Sequence, residues 1–302
     1  LRGWVRYAGP CTNVIGVLPT PGRVPGSRAG DLFCQQVVTG GPRWRNAWGT
    51  MRLFGRIAGY DGLGPLTLRD NLPAAEQFAV EILEGTRVGW MGDYNGYLPM
   101  EAGLLEVCEA SLQTLMHNGA IVEPCQPQYD LARLWQTWLT LRHWTRHDMR
   151  DLYHDPESRK LLKPEAVWEI EGSFDTTAAQ VYDAGVARAD WFRALRTLFD
   201  RYDFLVLPTA QVFPFFKDIH WPEEINGKRM DTYHRWMEVV IGGTLAGLPV
   251  VNIPAGFDAR GRPMGMQVMG PFGEDQRILE FGLAYEKITD HLDRRPVLRD
   301  SV

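Results

Sequence analysis

Apolar positions fall into short unbroken runs that alternate with longer segments spaced three and four apart. Val14-Ile15-Gly16-Val17-Leu18 is a run bounded by turn formers and predicts a buried strand. Pro19, Pro21, Gly22, Pro25, Gly26 and Gly30 hold the next stretch irregular, with Asp31–Val38 a second weak strand or turn. Ala47, Met51, Phe54 and Ala58 share one face of a helix predicted over Arg45–Ala58, and Gly59 suits its end. After a loop over Tyr60–Pro73, Thr86–Met91 predicts a strand, Glu101–His117 a helix stopped at Asn118-Gly119, and Ala120–Glu123 another strand. Strand, helix, strand at this spacing is a βαβ unit and predicts parallel pairing.

The second half continues the alternation. Helices are predicted over Leu131–Leu152, Lys163–Ile170 and Thr176–Tyr202, the last capped by Asp175 or Thr176. Phe204-Leu205-Val206-Leu207, ending in Pro208, is an apolar run typical of a strand covered on both faces. Asp231–Ala246 reads as helix, Val250–Ile253 as strand, 258–262 as turn, Met264–Met269 as the returning strand and Asp275–Thr289 as a final helix. No repeat and no linker divides the 302 residues. The fold class is α/β, one domain with a mixed sheet wrapped by helices.

Composition narrows the partners. Lys+Arg 32 against Asp+Glu 37 gives a net charge of -5, which lacks the electrostatic footprint of a nucleic-acid binder. No apolar run approaches the ~20 residues that span a bilayer. Cys11, Cys34, Cys108 and Cys125 are widely spaced and read as inert thiols, not as a disulfide framework. No apolar region follows Arg2 and Arg6 as in a leader, so the chain reads as cytoplasmic. Its start at Leu1 reads as a piece of something longer.

Phosphate-binding glycine motifs and a GxSxG elbow are absent. His143 and His147 share a helix face, but no HExxH and no acidic or thiol set completes a metal site; they read as polar residues lining a cleft or surface. Trp135, Trp138 and Trp144 interleave with arginine; against a negative net charge they read as helix core and aromatic wall. Small residues in Gly242-Gly243-Thr244-Leu245-Ala246-Gly247 allow either tight packing or close approach of a ligand. Tyr233, His234 and Trp236 precede them, and with Thr244 they are the candidate substrate-pocket residues.

Short segments stand in a definite order: Asn13-Val14-Ile15-Gly16, Pro19-Thr20 and Gly22-Arg23-Val24-Pro25, then Gly41-Pro42 and Arg45, then Ile57-Ala58-Gly59, then Leu205-Val206-Leu207-Pro208-Thr209. Ala246-Gly247-Leu248-Pro249, Ile253-Pro254-Ala255-Gly256, Pro263-Met264-Gly265-Met266-Gln267, Gly270-Pro271, Asp275 and Ala284-Tyr285-Glu286 complete the order. The ordered set resembles the amidase signature family of serine amidohydrolases, the first group being similar to the stretch after that family's nucleophile and Leu205–Thr209 to a family strand. The resemblance implies a mixed sheet wrapped by helices and hydrolysis of a carboxylic amide C–N bond. It implies no cofactor and no metal, and a small-molecule amide as substrate, with a homo-oligomer as one possible assembly.

It also implies a catalytic lysine, a serine on a cis peptide and a nucleophilic serine, the hydroxyl being activated by a neighbouring base. Here the chain departs from the family. Its five lysines begin at Lys160, and its five serines begin at Ser27. Spacing from Asn13 aligns Gly3-Trp4-Val5-Arg6 with the nucleophile motif, which puts Trp4 where the serine belongs. Indole N–H donates only and cannot attack a carbonyl. A second alignment, on Leu1-Arg2, needs an insertion and also leaves no nucleophile. Trp44 and Ala8 depart as well, so either the N-terminal edge is altered or catalysis is lost.

Three readings follow. The chain is the C-terminal portion (1–302) of an amidase domain whose triad lies upstream, and is inactive alone. Or it is a non-catalytic amidase-like binding or scaffold protein. Or it is a piece whose exposed strand edges prevent stable folding.

Overall fold

The computed structural model describes residues 14–26, 32–33, 37–80, 82–216 and 218–293. Trp4, the Gly3–Arg6 motif, Ser27, Cys11, Cys34 and half of the Asp31–Val38 segment lie outside these residues.

The strands, in chain order, are β1 (Ile15–Leu18), β2 (Arg43–Trp44), β3 (Arg87–Trp90), β4 (Ile121–Pro124), β5 (Phe204–Pro208), β6 (Glu224–Ile225), β7 (Lys228–Arg229), β8 (Val250–Phe257) and β9 (Pro263–Met269). Seven of them form one sheet in the order β2-β1-β8-β9-β5-β3-β4, and β6 and β7 pair as a separate hairpin. β3 runs parallel to β4 and to β5, and the other pairings in the large sheet are antiparallel. The βαβ unit is therefore present, and the strands around Leu205 and Val251 share one sheet on either side of β9. Every residue of β5 is buried, as its uninterrupted apolar run requires.

The helices are α1 (Ala47–Ile57), α2 (Leu104–His117), α3 (Leu131–Arg146), α4 (Arg150–His154), α5 (Pro156–Arg159), α6 (Pro164–Phe174), α7 (Ala178–Leu198), α8 (Ile241–Ala246) and α9 (Asp275–Ile288). Strand alternation sorts them into layers. Val251 abuts Gly282 of α9, and Ser111 of α2 bonds to Tyr285 of α9, so α2 and α9 cover one face. Asn252 turns to the opposite face, as does its cross-strand neighbour Gln267, which bonds to Val239 just before α8. α3, α6 and α7 pack together over α8 on that side.

The structure departs from the sequence expectations at definite places. The helix expected over Leu131–Leu152 stops at Arg146, and a 3₁₀ turn at His147–Met149 leads into α4. The N-cap of α7 is Thr177, which forms a capping box with Gln180; Thr176 instead bonds back to Gly172. β8 runs on to Phe257 through an irregularity between Pro254 and Gly256, where proline has no N–H to give. The β6–β7 hairpin is an addition to the expected elements, although Asn226-Gly227, with φ of 48° and 77°, is the strongest short hairpin signal.

The largest change is over Asp231–Ala246. Residues 231–234 are not helical, Arg235–Val240 is a 3₁₀ segment kinked at Met237, and only Ile241–Ala246 is α-helix. Two glycines and a β-branched Val239-Val240-Ile241 run weaken the α ladder there, and side chains from β9 and from the segment after β5 take over the Val239 backbone.

Candidate functional site

The sheet supplies a polar row under this kinked segment. Gln267 pairs in register with Leu207 on one side and Asn252 on the other, and Asn252 pairs with Gly16. Gln267, Asn252, Thr209 and Gln211 are all fully buried. Gln267 Nε2 donates to Pro208 O at 2.8 Å and to Val239 O at 2.9 Å. Gln211 Oε1 accepts from Val239 N at 3.1 Å, and its Nε2 donates to Pro99 O at 3.2 Å. Two glutamines thus hold both sides of Val239 and lock the kink onto β9 and the chain leaving β5. Gln267→Leu is expected to lower stability by about 2 kcal/mol, since two buried carbonyls lose their donor; equilibrium denaturation in urea measures it.

The other side of the segment is gripped by the helices. Trp191 Nε1 donates to Gly242 O at 2.8 Å, and Arg188 Nε to Leu245 O at 2.6 Å. Gly247 ends α8 at φ 65°. Its Cα faces the ring of Pro21, so a Cβ would lie 3.2 Å from it.

Of the four predicted pocket residues, Tyr233, His234 and Trp236 come together. Tyr233 is half-buried, its ring 5.3 Å from His234 and 6.4 Å from Trp236. His234 and Trp236 are buried. Thr244 lies one helix further on, half-buried, with its hydroxyl turned back to Val240 O at 3.4 Å.

His234 belongs to a charged cluster that the sequence did not reveal. Its Nε2 is 2.7 Å from Glu169 Oε1, off the ring's donor axis, and its Nδ1 meets no hydrogen-bond partner. Arg142 Nε and Arg146 Nε reach the same carboxylate at 2.8 and 3.0 Å. Burial works against the Glu169 charge, but His234 and Arg142 outweigh it and hold the carboxyl down at about 2. Burial lowers His234, and Glu169 only partly restores it, so the imidazole is neutral near pH 7. The two arginines therefore carry the countercharge.

A second cluster lies beyond the kink. Arg235 bonds to Glu238 at 3.0 Å and Asp231 at 2.8 Å, and Tyr97 OH donates to Glu238 at 3.1 Å. Burial raises Glu238 despite Arg235, and burial together with Glu238 pushes Tyr97 up to about 12. His143 and His147 go separate ways, to Glu169 O at 2.9 Å and Ser173 Oγ at 3.1 Å. No group of three metal-binding side chains occurs among the described residues. Cys108 and Cys125 are buried free thiols, and burial pushes Cys125 up to about 12 and Cys108 higher still.

Ser111 bonds to Tyr285, Ser173 Oγ to Ile170 O, Lys160 to Glu157 and Lys228 to Tyr97 O. Within that set no serine hydroxyl hydrogen-bonds a lysine.

The sequence profile of the Amidase family matches residues 5–279. This chain belongs to the amidase family. Curated relatives include a glutamyl-tRNA(Gln) amidotransferase subunit from Halorhodospira halophila, 27% identical over 312 residues, covering 95% of this chain and 62% of the relative. The corresponding protein of Symbiobacterium thermophilum is 28% identical over 324 residues, covering 99% and 64%. Among solved structures, a bacterial aryl acylamidase of the amidase signature family superposes with TM-score 0.86 at 22% identity, covering 98% of this chain and 64% of the other. A 6-aminohexanoate cyclic dimer hydrolase gives TM-score 0.82 at 16% identity, covering 98% and 65%. At these identities the structures establish the fold alone. The amidase chain spans a little under two thirds of the length of these relatives. No described helix is long and apolar enough to cross a membrane.

Proposed function

We propose that these residues form the C-terminal portion of a single amidase domain that hydrolyses the C–N bond of a small carboxylic amide. The observation that carries this reading is the family match over residues 5–279, joined to a mixed sheet of the same topology class as amidase signature structures. Tyr233, His234, Trp236 and Thr244 are the proposed walls of the substrate pocket, on the segment that Gln211, Gln267 and Trp191 hold in place. The reacting serine and lysine are proposed to lie outside residues 14–293, in keeping with the separate bonding of Ser111, Ser173, Lys160 and Lys228.

The test is an assay of full-length protein and of residues 1–302 against a panel of aliphatic and aryl amides, following release of ammonia or amine. Turnover by the full-length protein and none by 1–302 is expected. Turnover by 1–302, abolished by changing one of its own residues, overturns the placement of the triad. A folded full-length protein that binds amides without turnover favours the scaffold reading, which Trp4 at the aligned nucleophile position motivates.

A further inference from the structure

One atom in the buried polar row is unspent. Asn252 is fully buried. Val14 O can only accept, so the amide must turn its NH₂ toward it, and Nδ2 donates at 3.0 Å. That orientation fixes Oδ1 on the other side, where no hydrogen bond reaches it. The neighbours show why. Thr209 spends its hydroxyl on Gly265 O at 3.0 Å, and Gln267 spends both Nε2 hydrogens on Pro208 and Val239. Gly16, opposite Asn252, has no side chain. Gly265 has none either, and a Cβ there would stand 3.0 Å from both Asn252 Oδ1 and Thr209 Oγ1. The space over Gly265 is thus lined by oxygen atoms and asks for a hydrogen-bond donor. A buried carbonyl oxygen without one is costly, and a catalytic role is one of the reasons such a group is kept.

We infer that Asn252 is a positioning residue of the amidase site: its Nδ2 fixes Val14 and so the entry into β1 of the chain that carries residues 3–6, while its Oδ1 receives a donor that the working site supplies. This rests on the amidase reading. At neutral pH an amide meets both demands and the other side chains tested do not. Aspartate offers Val14 O a second acceptor unless it is protonated, leucine offers nothing, and threonine offers a hydroxyl but no carbonyl oxygen. Val14, Gly16, Thr209, Gly265 and Gln267 carry no ionisable side chain, so a new pH response would belong to position 252 itself.

The experiment compares full-length wild type with Asn252→Asp, Asn252→Leu and Asn252→Thr in kcat and KM from pH 5 to 9. Asn252→Asp is expected to lose kcat roughly tenfold or more at pH 8, with KM within about threefold, and to regain part of it as pH falls and the buried carboxyl is protonated. Asn252→Leu is expected to lose as much with no recovery. If either variant fails to fold, Asn252→Thr decides, with an expected loss of roughly fivefold in kcat. Wild-type kcat in Asn252→Thr, or an Asn252→Asp profile parallel to wild type, overturns the inference alone. A wild-type protein without turnover overturns the amidase reading and this inference with it.

Discussion

Glu169→Ala is expected to destabilise the folded chain by about 3 kcal/mol and lower the thermal midpoint by roughly 5–10 °C. Glu169 is 4% exposed and binds Arg142, Arg146 and His234 at once. Removing it leaves two arginines, 16% and 18% exposed, crowded together without the carboxylate they share. Their residual contact with water keeps the cost at the lower end of the range for broken buried pairs. Glu169→Gln keeps the shape and two acceptor lone pairs, so about half that loss is expected.

Acid should reproduce part of the effect. The carboxyl is held at about 2 against an ordinary 4.5, so its stabilisation is complete above pH 4.5 and drains away as pH falls toward 2. The groups facing it are Arg142, Arg146, His143 and His234. His234, lowered by burial, also disfavours the folded state as it takes up a proton. Wild type should therefore lose stability below pH 4.5 more steeply than Glu169→Gln, and parallel denaturation curves for the two proteins would rule out this role.

Trp191→Ala should cost more, ~3–5 kcal/mol by denaturant unfolding. The side chain is fully buried, meets Tyr94 and Tyr129 edge-on at 6.5 and 5.3 Å, and satisfies Gly242 O. Its loss leaves a cavity and an orphaned carbonyl beside α8. Trp191→Phe, which keeps most of the volume and drops the N–H, should cost about 1–2 kcal/mol. Equal losses in the two variants would mean the hydrogen bond, not the packing, carries the effect.

The sheet and most helices are legible in the sequence because their burial is one-sided or complete: Leu104–His117 shows by its period, and Phe204–Leu207 by an apolar run too short for a helix and closed by Pro208. The kink at Met237 is not, since the side chains that hold it, Gln211 and Gln267, each lie 28 residues from Val239, one before it and one after. Glu169 gives no local sign, because its partners Arg142 and Arg146 sit on another helix and His234 on a later segment. A polar asparagine interrupting Val250-Val251-Asn252-Ile253 is visible, and an apolar strand rarely carries such a residue without a bonding reason. Trp4 marks the opposite case, a residue plain in the sequence that lies outside the described structure.

The arrangement of β1 has a consequence for biosynthesis. It lies inside the sheet, and the residue that fastens its entry, Asn252, follows Val14 by 238 positions. At ~5–20 residues per second, a ribosome takes roughly ten to fifty seconds to deliver that partner. The loop after β1 waits as long, since Thr20 N bonds to Asp275, 255 residues on. Until then the nascent apolar strand can pair only with the two-residue β2 on its other flank, so this protein should lean on chaperones during synthesis more than a chain whose early strands find both neighbours nearby in sequence.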